Sequence, residues 1–574
     1  MIKEQVIFKL NNLLLSSFEN SEVIKEAVIK ENDSMLSCVD ETFKKEYKTI
    51  KKGERKQLSE KSEPALINAL MYVSQNKFAR GFDEFYRLLK ENPNNLELKK
   101  SAALCLVNLK AYRHVVKHFV DDLKKHIENN EEIMSIVGGA YFGLPEHYAD
   151  AIPIYEELVS IKPENANYNQ RLAFLYERVY QDKKIEEQIF YAEKARELTD
   201  NKNQANVFLA KLYYRAGRKD ECYKCVDEIL SNNPTAEEIV SCCRFMMQDG
   251  RLEESYGMYR CRFETGNVTY PKLLFPEKRW DGEKDLSNST VIVHYEQGFG
   301  DTVMFCRYIP EIAKRAKEVI FVVQKNLIPI LKSSGFDRYC RILSHEADVN
   351  INIKLKDVNR SIMYSNGKGM GKIPHDFHIP LMDTPYLFKE SPEKMEQACG
   401  YLTADREKIE EFREKYIQKN NKIKIGLAFH GTKQSILTYR DISIKKFMPI
   451  LEMENVEFYS FQSDEYAKEL EELSDDINIY DLGKEFKNFE DTACAMNCMD
   501  LMISTDNVVM NLAGALSIKT YCLFNIYPES RWYKTNGDDI GWYKSVRPFQ
   551  VDTFNNWEPL MEQIKAQIKQ DFNI

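Results

Sequence analysis

No stretch of this chain approaches the roughly eighteen consecutive apolar residues that a membrane-spanning helix needs. The amino terminus, "MIKEQVIFKLNNLLLSSFENSEV", has only a short apolar stretch, broken by Lys9, Asn11 and Asn12, and no small-residue cleavage site follows it. The expected location is therefore the cytoplasm, with no membrane span. A basic excess is also missing: the net charge is −9 and the pI is near 5.7, whereas a general nucleic-acid binder needs a basic face to neutralise phosphates. Metal-ligand spacings are absent. Cys222 and Cys225 form a lone CxxC without a second pair, and His114 and His118 lack the acid of an HExxH motif, so no metal is expected. The 13 cysteines, an odd number without an export signal, favour buried free thiols over a disulfide framework.

What is present is enough for several compact units. The chain has 574 residues, 43% of them apolar and 29% charged, which is ordinary for globular domains of roughly 100–200 residues each. Its first half repeats. Pro93, Pro163 and Pro234 close "LLKENPNN", "LVSIKPEN" and "EILSNNPT" at separations of about 70 residues, twice the ~34-residue period of a tetratricopeptide unit. Turns without proline fall between them, near Asn129 and Asp200. Within "ANVFLAKLYYRAGRKDECYKCVDEILSNNP", Leu209, Leu212 and Tyr213 line one helix, Gly217 turns, and Cys222, Val226 and Ile229 line the next. The pattern predicts about five helix–turn–helix units over 61–265, preceded by a helical cap or linker over 1–60 with a solvated lysine run, "KKEYKTIKKGERK". Stacked units of this kind form a solenoid whose concave face suits an extended peptide.

From about Thr290 apolar strands alternate with helices in two runs, one from about 290 to 385 and one from about 420 to 550. The charged stretch "EKMEQACGYLTADREKIEEFREKYIQKNN" joins them. The rhythm predicts two Rossmann-like parallel sheets, in domains 266–400 and 401–574, with ligands at the carboxyl ends of the strands and a cleft between the sheets. In "VIVHYEQGFGDTVMFCRYIPEI", residues 291–312, a strand runs through Gly298 and Gly300 into a helix, and Asp301 at the helix mouth is either a cap or a chemical group. A dinucleotide fingerprint fails at Val303 and at Gln324, where glycine and an acid are required. A P-loop fails at Ile373 in "GKGMGKI".

Several blocks together carry a resemblance: "RWDGE" at 279–283, "YEQGFGDTVMFCRYIP" at 295–310, "DFHIPLM" at 376–382, "IGLAFHG" at 425–431, "YRDISI" at 439–444 and "ISTDNVVMNLAGAL" at 503–516. In order and spacing the chain resembles bacterial proteins that fuse tetratricopeptide repeats to a GT-B glycosyltransferase module similar to the lipopolysaccharide heptosyltransferases. That wider group includes flagellin glycosyltransferases. The resemblance implies a helical solenoid followed by a GT-B module, with a nucleotide sugar as co-substrate and no cofactor. It also implies a protein acceptor, plausibly flagellin-like, held by the repeats.

The resemblance further assigns residues. Asp301 matches the acid regarded as general base toward the acceptor hydroxyl, with Glu296 holding the turn or sharing that work, and Gly298, Gly300 and His378 belong to the acceptor-side loop. Arg440, with Lys433 as a second candidate, matches the cation placed by the donor phosphates. Asp506 and Asn507 stand where sugar hydroxyls are met, and Gln462 is a further nucleotide contact. Where relatives carry a histidine, this chain has Asn511, which can hydrogen-bond but cannot become a cation. No D-x-D motif occurs, so fixed positive charges rather than a bridging metal are expected at the phosphates. The rival readings are a glycan or lipopolysaccharide sugar transferase and a catalytically silent adaptor.

Overall fold

The computed structural model describes residues 63–265, 273, 276–344, 373–391, 400–431, 440–474, 476–525, 528–529, 531–532, 540–553 and 555–574. The expected cap over 1–60 and the "GKGMGKI" loop before residue 373 lie outside them. The chain divides into two compact units, Met1–Leu212 and Tyr213–Ile574.

In the first unit, helices Glu63–Ser74 (α1), Phe78–Glu91 (α2), Leu96–Asn108 (α3), Tyr112–His118 (α4), Val120–Lys124 (α5), Glu131–Phe142 (α6), Tyr148–Ile161 (α7), Ala166–Tyr180 (α8) and Ile185–Leu198 (α9) follow one another. Helix Lys202–Arg215 (α10) contains the boundary between units. Two of the prolines that mark the period, Pro93 and Pro163, work together with an asparagine two residues later, while Thr235 caps the helix after Pro234. Asn95 after Pro93 accepts the Leu98 N–H, and Asn165 after Pro163 accepts the Tyr168 N–H, so the breaker ends one helix and the amide caps the next. Asn130 does the same for α6 where no proline stands. Apolar faces of α1 to α8 meet in one core built on Phe85, Leu106, Ile136, Tyr155 and Leu172.

The second unit starts with helices Lys219–Ser231 (α11), Ala236–Gln248 (α12) and Leu252–Tyr259 (α13). Sequence periodicity groups these helices with the repeats up to residue 265, yet they cluster with the α/β part. The physical reason is shared burial: Val240, Met247, Tyr256 and Tyr259 sit in the same apolar core as Val291, Val293 and Phe305 of the first sheet and its following helix. Cys222 and Cys225 of the CxxC are buried on α11, where burial pushes the Cys222 thiol up to about 12. No disulfide forms among the described residues.

The first sheet holds Thr290–His294 (β1), Glu318–Val323 (β2), Arg341–Ser344 (β3) and Phe377–Pro380 (β4), all parallel, in the order β3-β2-β1-β4. The second holds Ile423–Ala428 (β5), Val456–Ser460 (β6), Ile479–Asp481 (β7), Leu501–Thr505 (β8), Thr520–Phe524 (β9) and Val546–Gln550 (β10), also parallel, in the order β10-β9-β8-β5-β6-β7. Between and after these strands run the helices Phe299–Phe305 (α14), Ile309–Ala313 (α15), Ile328–Ser333 (α16), Thr384–Leu387 (α17), Arg406–Tyr416 (α18), Met448–Leu451 (α19), Phe489–Met496 (α20), Val508–Ala515 (α21) and Trp557–Phe572 (α22). Each strand order reverses once, between β1 and β4 and between β5 and β8. At such a reversal the connections leave in opposite directions and open a crevice at the carboxyl ends.

A buried ion network fastens α13 and the segment after it to the first sheet. The Arg262 guanidinium donates to both oxygens of Glu296, at 2.8 and 2.7 Å, and lies 2.9 Å from Asp383. All three side chains have 0% exposure. Arg279 pairs with both Asp383 oxygens at 2.7 and 2.8 Å, and Arg260 approaches at 3.4 Å. Burial alone would push the Asp383 carboxyl up, but Arg279, Arg262 and Arg260 together hold it well below the usual range. Removing one partner of such a set leaves a buried charge uncompensated. Arg262→Ala is therefore expected to destabilise the second unit by about 3–5 kcal/mol, read as a lowered urea midpoint of the full chain. A loss under about 1 kcal/mol would contradict the account.

Candidate functional site

The site begins where β1 ends. Its residues after Thr290 are buried on both faces, as a parallel strand covered by helices requires. Past His294 the chain turns through Gly298 into α14. Asp301 is the third residue of this helix and returns its Oδ2 to the Gly298 N–H at 3.0 Å, so it is a cap. Its Oδ1 forms an ion pair with Arg531, from beyond the end of β9 in the second sheet. Oδ2 is thus held by a local amide, while Oδ1, buried and accepting no hydrogen bond, faces a cation from the opposite half.

Arg531 has a second acid at hand. Its Nε lies 3.1 Å from Glu529 Oε2, which also accepts the Arg531 backbone N–H at 3.1 Å. Sequence reasoning missed both residues. The available signal was an acid and an arginine two apart, between Pro528 and Trp532, soon after the apolar strand "TYCLF".

Across the crevice at the β5–β8 reversal, Asp506 follows β8 and Arg440 reaches it. Arg440 Nε is 3.4 Å from Asp506 Oδ2, and the same guanidinium donates to the Asp506 carbonyl at 3.3 Å. Asp506 Oδ2 is buried and accepts no hydrogen bond. Burial raises the Asp506 carboxyl, Arg440 opposes that, Glu529 adds to it, and the nearby Trp532 N–H lowers it; the net displacement is upward. The structure therefore brings the expected Arg440 and Asp506 together and sets Asp301 and Arg531 beside the same loop.

Other expected residues are spent on architecture. Asn507 caps α21: it accepts the Val509 and Met510 N–H groups at 2.8 and 3.2 Å and donates to the His430 carbonyl at 3.2 Å. Those two helix amides are consequently not open to a phosphate. Gln462 accepts the Phe429 and His430 N–H groups and donates to Asp464 at 2.8 Å. Asn511 donates to the Asn507 carbonyl at 3.0 Å and accepts the Tyr543 hydroxyl at 3.1 Å. A Cβ on Gly300 would lie 3.0 Å from Asn511 Nδ2, so glycine there lets α14 settle against α21.

Glu296, offered as a second acid or a turn holder, sits in the Arg262 network and also accepts the Met382 N–H at 3.0 Å, which suits holding. His378, expected on a loop, is inside β4, fully buried and 3.2 Å from His294. The cause is register: Ile292 of β1 pairs with His378, which puts it within the sheet. Burial and then His378 hold the His294 imidazole well below its usual value. Lys433 lies outside the described residues. Among the described residues no group of three or more His, Cys, Asp or Glu is placed to hold a metal, and no helix is long and apolar enough to cross a membrane.

No family model matches the chain. Protein FlbA of Caulobacter vibrioides is 23% identical over 335 residues, 56% of this chain and 53% of that protein. The chain thus spans about half the length of that curated relative. Similar solved structures include a thermophilic TPR protein of Thermus thermophilus, at 17% identity and a TM-score of 0.26, covering 32% of this chain and 99% of that one. MamA from Desulfovibrio magneticus is similar at 16% identity and a TM-score of 0.28, over 30% of this chain and 96% of its own.

One further group holds the second crevice. His430 donates or accepts at Glu469 Oε1, 2.7 Å away, lies 3.6 Å from Asp441, and stacks on Tyr466 with ring centroids 4.0 Å apart. Burial lowers the imidazole, but Asp441 and Glu469 together outweigh it and raise it above the usual value near 6.5. Because the folded value is the higher, the stabilisation from His430 is full below about pH 6.5 and is lost as pH rises through the folded value. Urea titrations of the wild type at about pH 6 and about pH 8.5 should show this loss, and His430→Gln should flatten it. An unchanged slope in the variant would remove His430 from the account.

Proposed function

We propose that this chain is a metal-independent GT-B-type glycosyltransferase that moves a sugar from a nucleotide sugar to Ser or Thr hydroxyls of a protein, flagellin-like in kind, held by its tetratricopeptide-like repeats in the cytoplasm. The observation that carries the reading is the charge set at the two strand-order reversals. One acid, Asp301, comes from the first sheet, while two arginines, Arg440 and Arg531, and the buried Asp506 come from the second. In the reaction an acceptor hydroxyl oxygen bonds to the anomeric carbon as the bond from that carbon to the phosphate oxygen breaks. The proton goes to Asp301, and the electron pair leaves on the nucleotide phosphate, where arginines stabilise it. Asp506 Oδ2, buried beside Arg440 and accepting no hydrogen bond, suits a donor hydroxyl.

The sequence blocks shared with the heptosyltransferase-like group support the donor assignment, and the helix pairs ahead of the α/β part support a protein acceptor. One observation favours the silent-adaptor reading instead: Asp301 caps α14 and faces Arg531 in this arrangement.

Two substitutions separate these readings. Arg440→Ala should weaken binding of nucleoside diphosphates about tenfold or more in calorimetric titration, since a preorganised guanidinium is lost. Asp301→Asn keeps an oxygen for the Gly298 N–H but removes basicity, so transfer should fall ~10²-fold or more. Turnover within a few-fold of wild type would reduce Asp301 to a cap.

A further inference from the structure

We propose that Arg531 is an exchangeable counter-ion: an anionic phosphate entering the site takes its guanidinium away from Asp301, and the oxygen so released becomes the one that accepts the acceptor's proton. This rests on the donor-site reading above and adds a specific residue and an order of events to it.

Three features of the pair support exchange. The first is that Arg531 bridges the two halves, its partner Asp301 standing after β1 and its own chain position after β9. A ligand between the halves meets it directly. Arg531 keeps 18% of its side chain exposed, so the cation is reachable, unlike the Arg262 network, while Asp301 Oδ1 is buried beneath it. The second is that neither partner is stranded when the pair opens. Glu529 continues to hold Arg531 at Nε, 3.1 Å away, which leaves the terminal nitrogens for a phosphate, the geometry arginine favours. Asp301 keeps the Gly298 N–H on Oδ2, so the cap of α14 persists and only Oδ1 is freed. The third is location. Glu529 and the Trp532 N–H both act electrostatically on the Asp506 carboxyl, so the segment carrying Arg531 lies near the buried acid that Arg440 contacts.

The consequence is coupling. Without donor, Asp301 is masked and no proton acceptor is ready. With the anion bound, the base is bare. The linkage is reciprocal: whatever removes the Asp301 charge must make Arg531 more available to an anion.

The test is calorimetric titration of the full chain with a panel of nucleoside mono- and diphosphates. Wild type is expected to bind at least one. Arg531→Gln should weaken that nucleotide about tenfold or more. Asp301→Asn should tighten it several-fold, an outcome that damage to the fold does not produce. In the Arg531→Gln background the same Asp301→Asn change should no longer tighten it, and this arm separates exchange from simple relief of charge repulsion. Each variant is first shown to melt cooperatively. If Arg531→Gln does not, Arg531→Met supplies that background. Unchanged affinity in Asp301→Asn, or a tightening that persists without Arg531, overturns the exchange while leaving the donor site standing, provided Arg440→Ala still weakens binding. No binding of any member of the panel by wild type overturns the donor-site reading and the exchange with it.

Discussion

Arg262 has no exposed surface and is held between two carboxylates that are equally buried, Glu296 just past β1 and Asp383 just past β4. Removing any one of the three from water is costly, and only the complete set compensates. The arrangement therefore fixes three things together: the end of the helical run at Tyr259, the turn that starts at Glu296, and the chain leaving β4. The Gly298–Asp301 turn begins two residues further on. Its position relative to the second sheet depends on this anchor before any ligand is considered.

From that fixed edge the two α/β halves meet through small, specific contacts. Gly300 lets Asn511 approach, Tyr543 donates to Asn511, and Phe299 packs on Phe489 with ring centroids 4.9 Å apart. Arg307, buried among Tyr401, Trp542 and Tyr543, donates to the Tyr401 hydroxyl and the Trp542 carbonyl across the same junction. Against this aromatic and hydrogen-bonded packing, the Asp301–Arg531 pair is an ionic contact between the halves whose cation is partly exposed. A charge pair at such a junction opens more readily than the packing around it, because water and ligands can replace each partner. Asn511 fits this division of labour. It is an amide used for packing, and Arg531 brings a positive charge to the crevice from another strand end.

Much of the fold was legible in the sequence because its signals are local. Proline spacing and helical periodicity mark the helix pairs, and the apolar runs of β1, β2, β5, β8 and β9 mark buried parallel strands. Which compact unit the last repeat-like helices join was not legible. Helices α12 and α13 carry the periodicity of repeat helices, and only their partners Val291, Val293 and Phe305 reveal which unit they belong to. Motif matching located Asp301, Arg440 and Asp506 at strand ends. It could not tell that Asn507 and Gln462 spend their hydrogen bonds internally, or that His378 lies within a strand, since those facts depend on register and neighbours. Arg531 was missed for the same reason: its significance comes from an acid 230 positions earlier in the chain.

The proposed reaction leaves a sugar on protein. Intact mass spectrometry of flagellin-like and other candidate acceptors, purified from cells that carry the gene and from cells that lack it, addresses that directly. The account requires one or more added masses equal to sugar residues in the first set, absent from the second, restored by the wild-type gene and not by one encoding Arg440→Ala. Identical acceptor masses with and without the gene would contradict it.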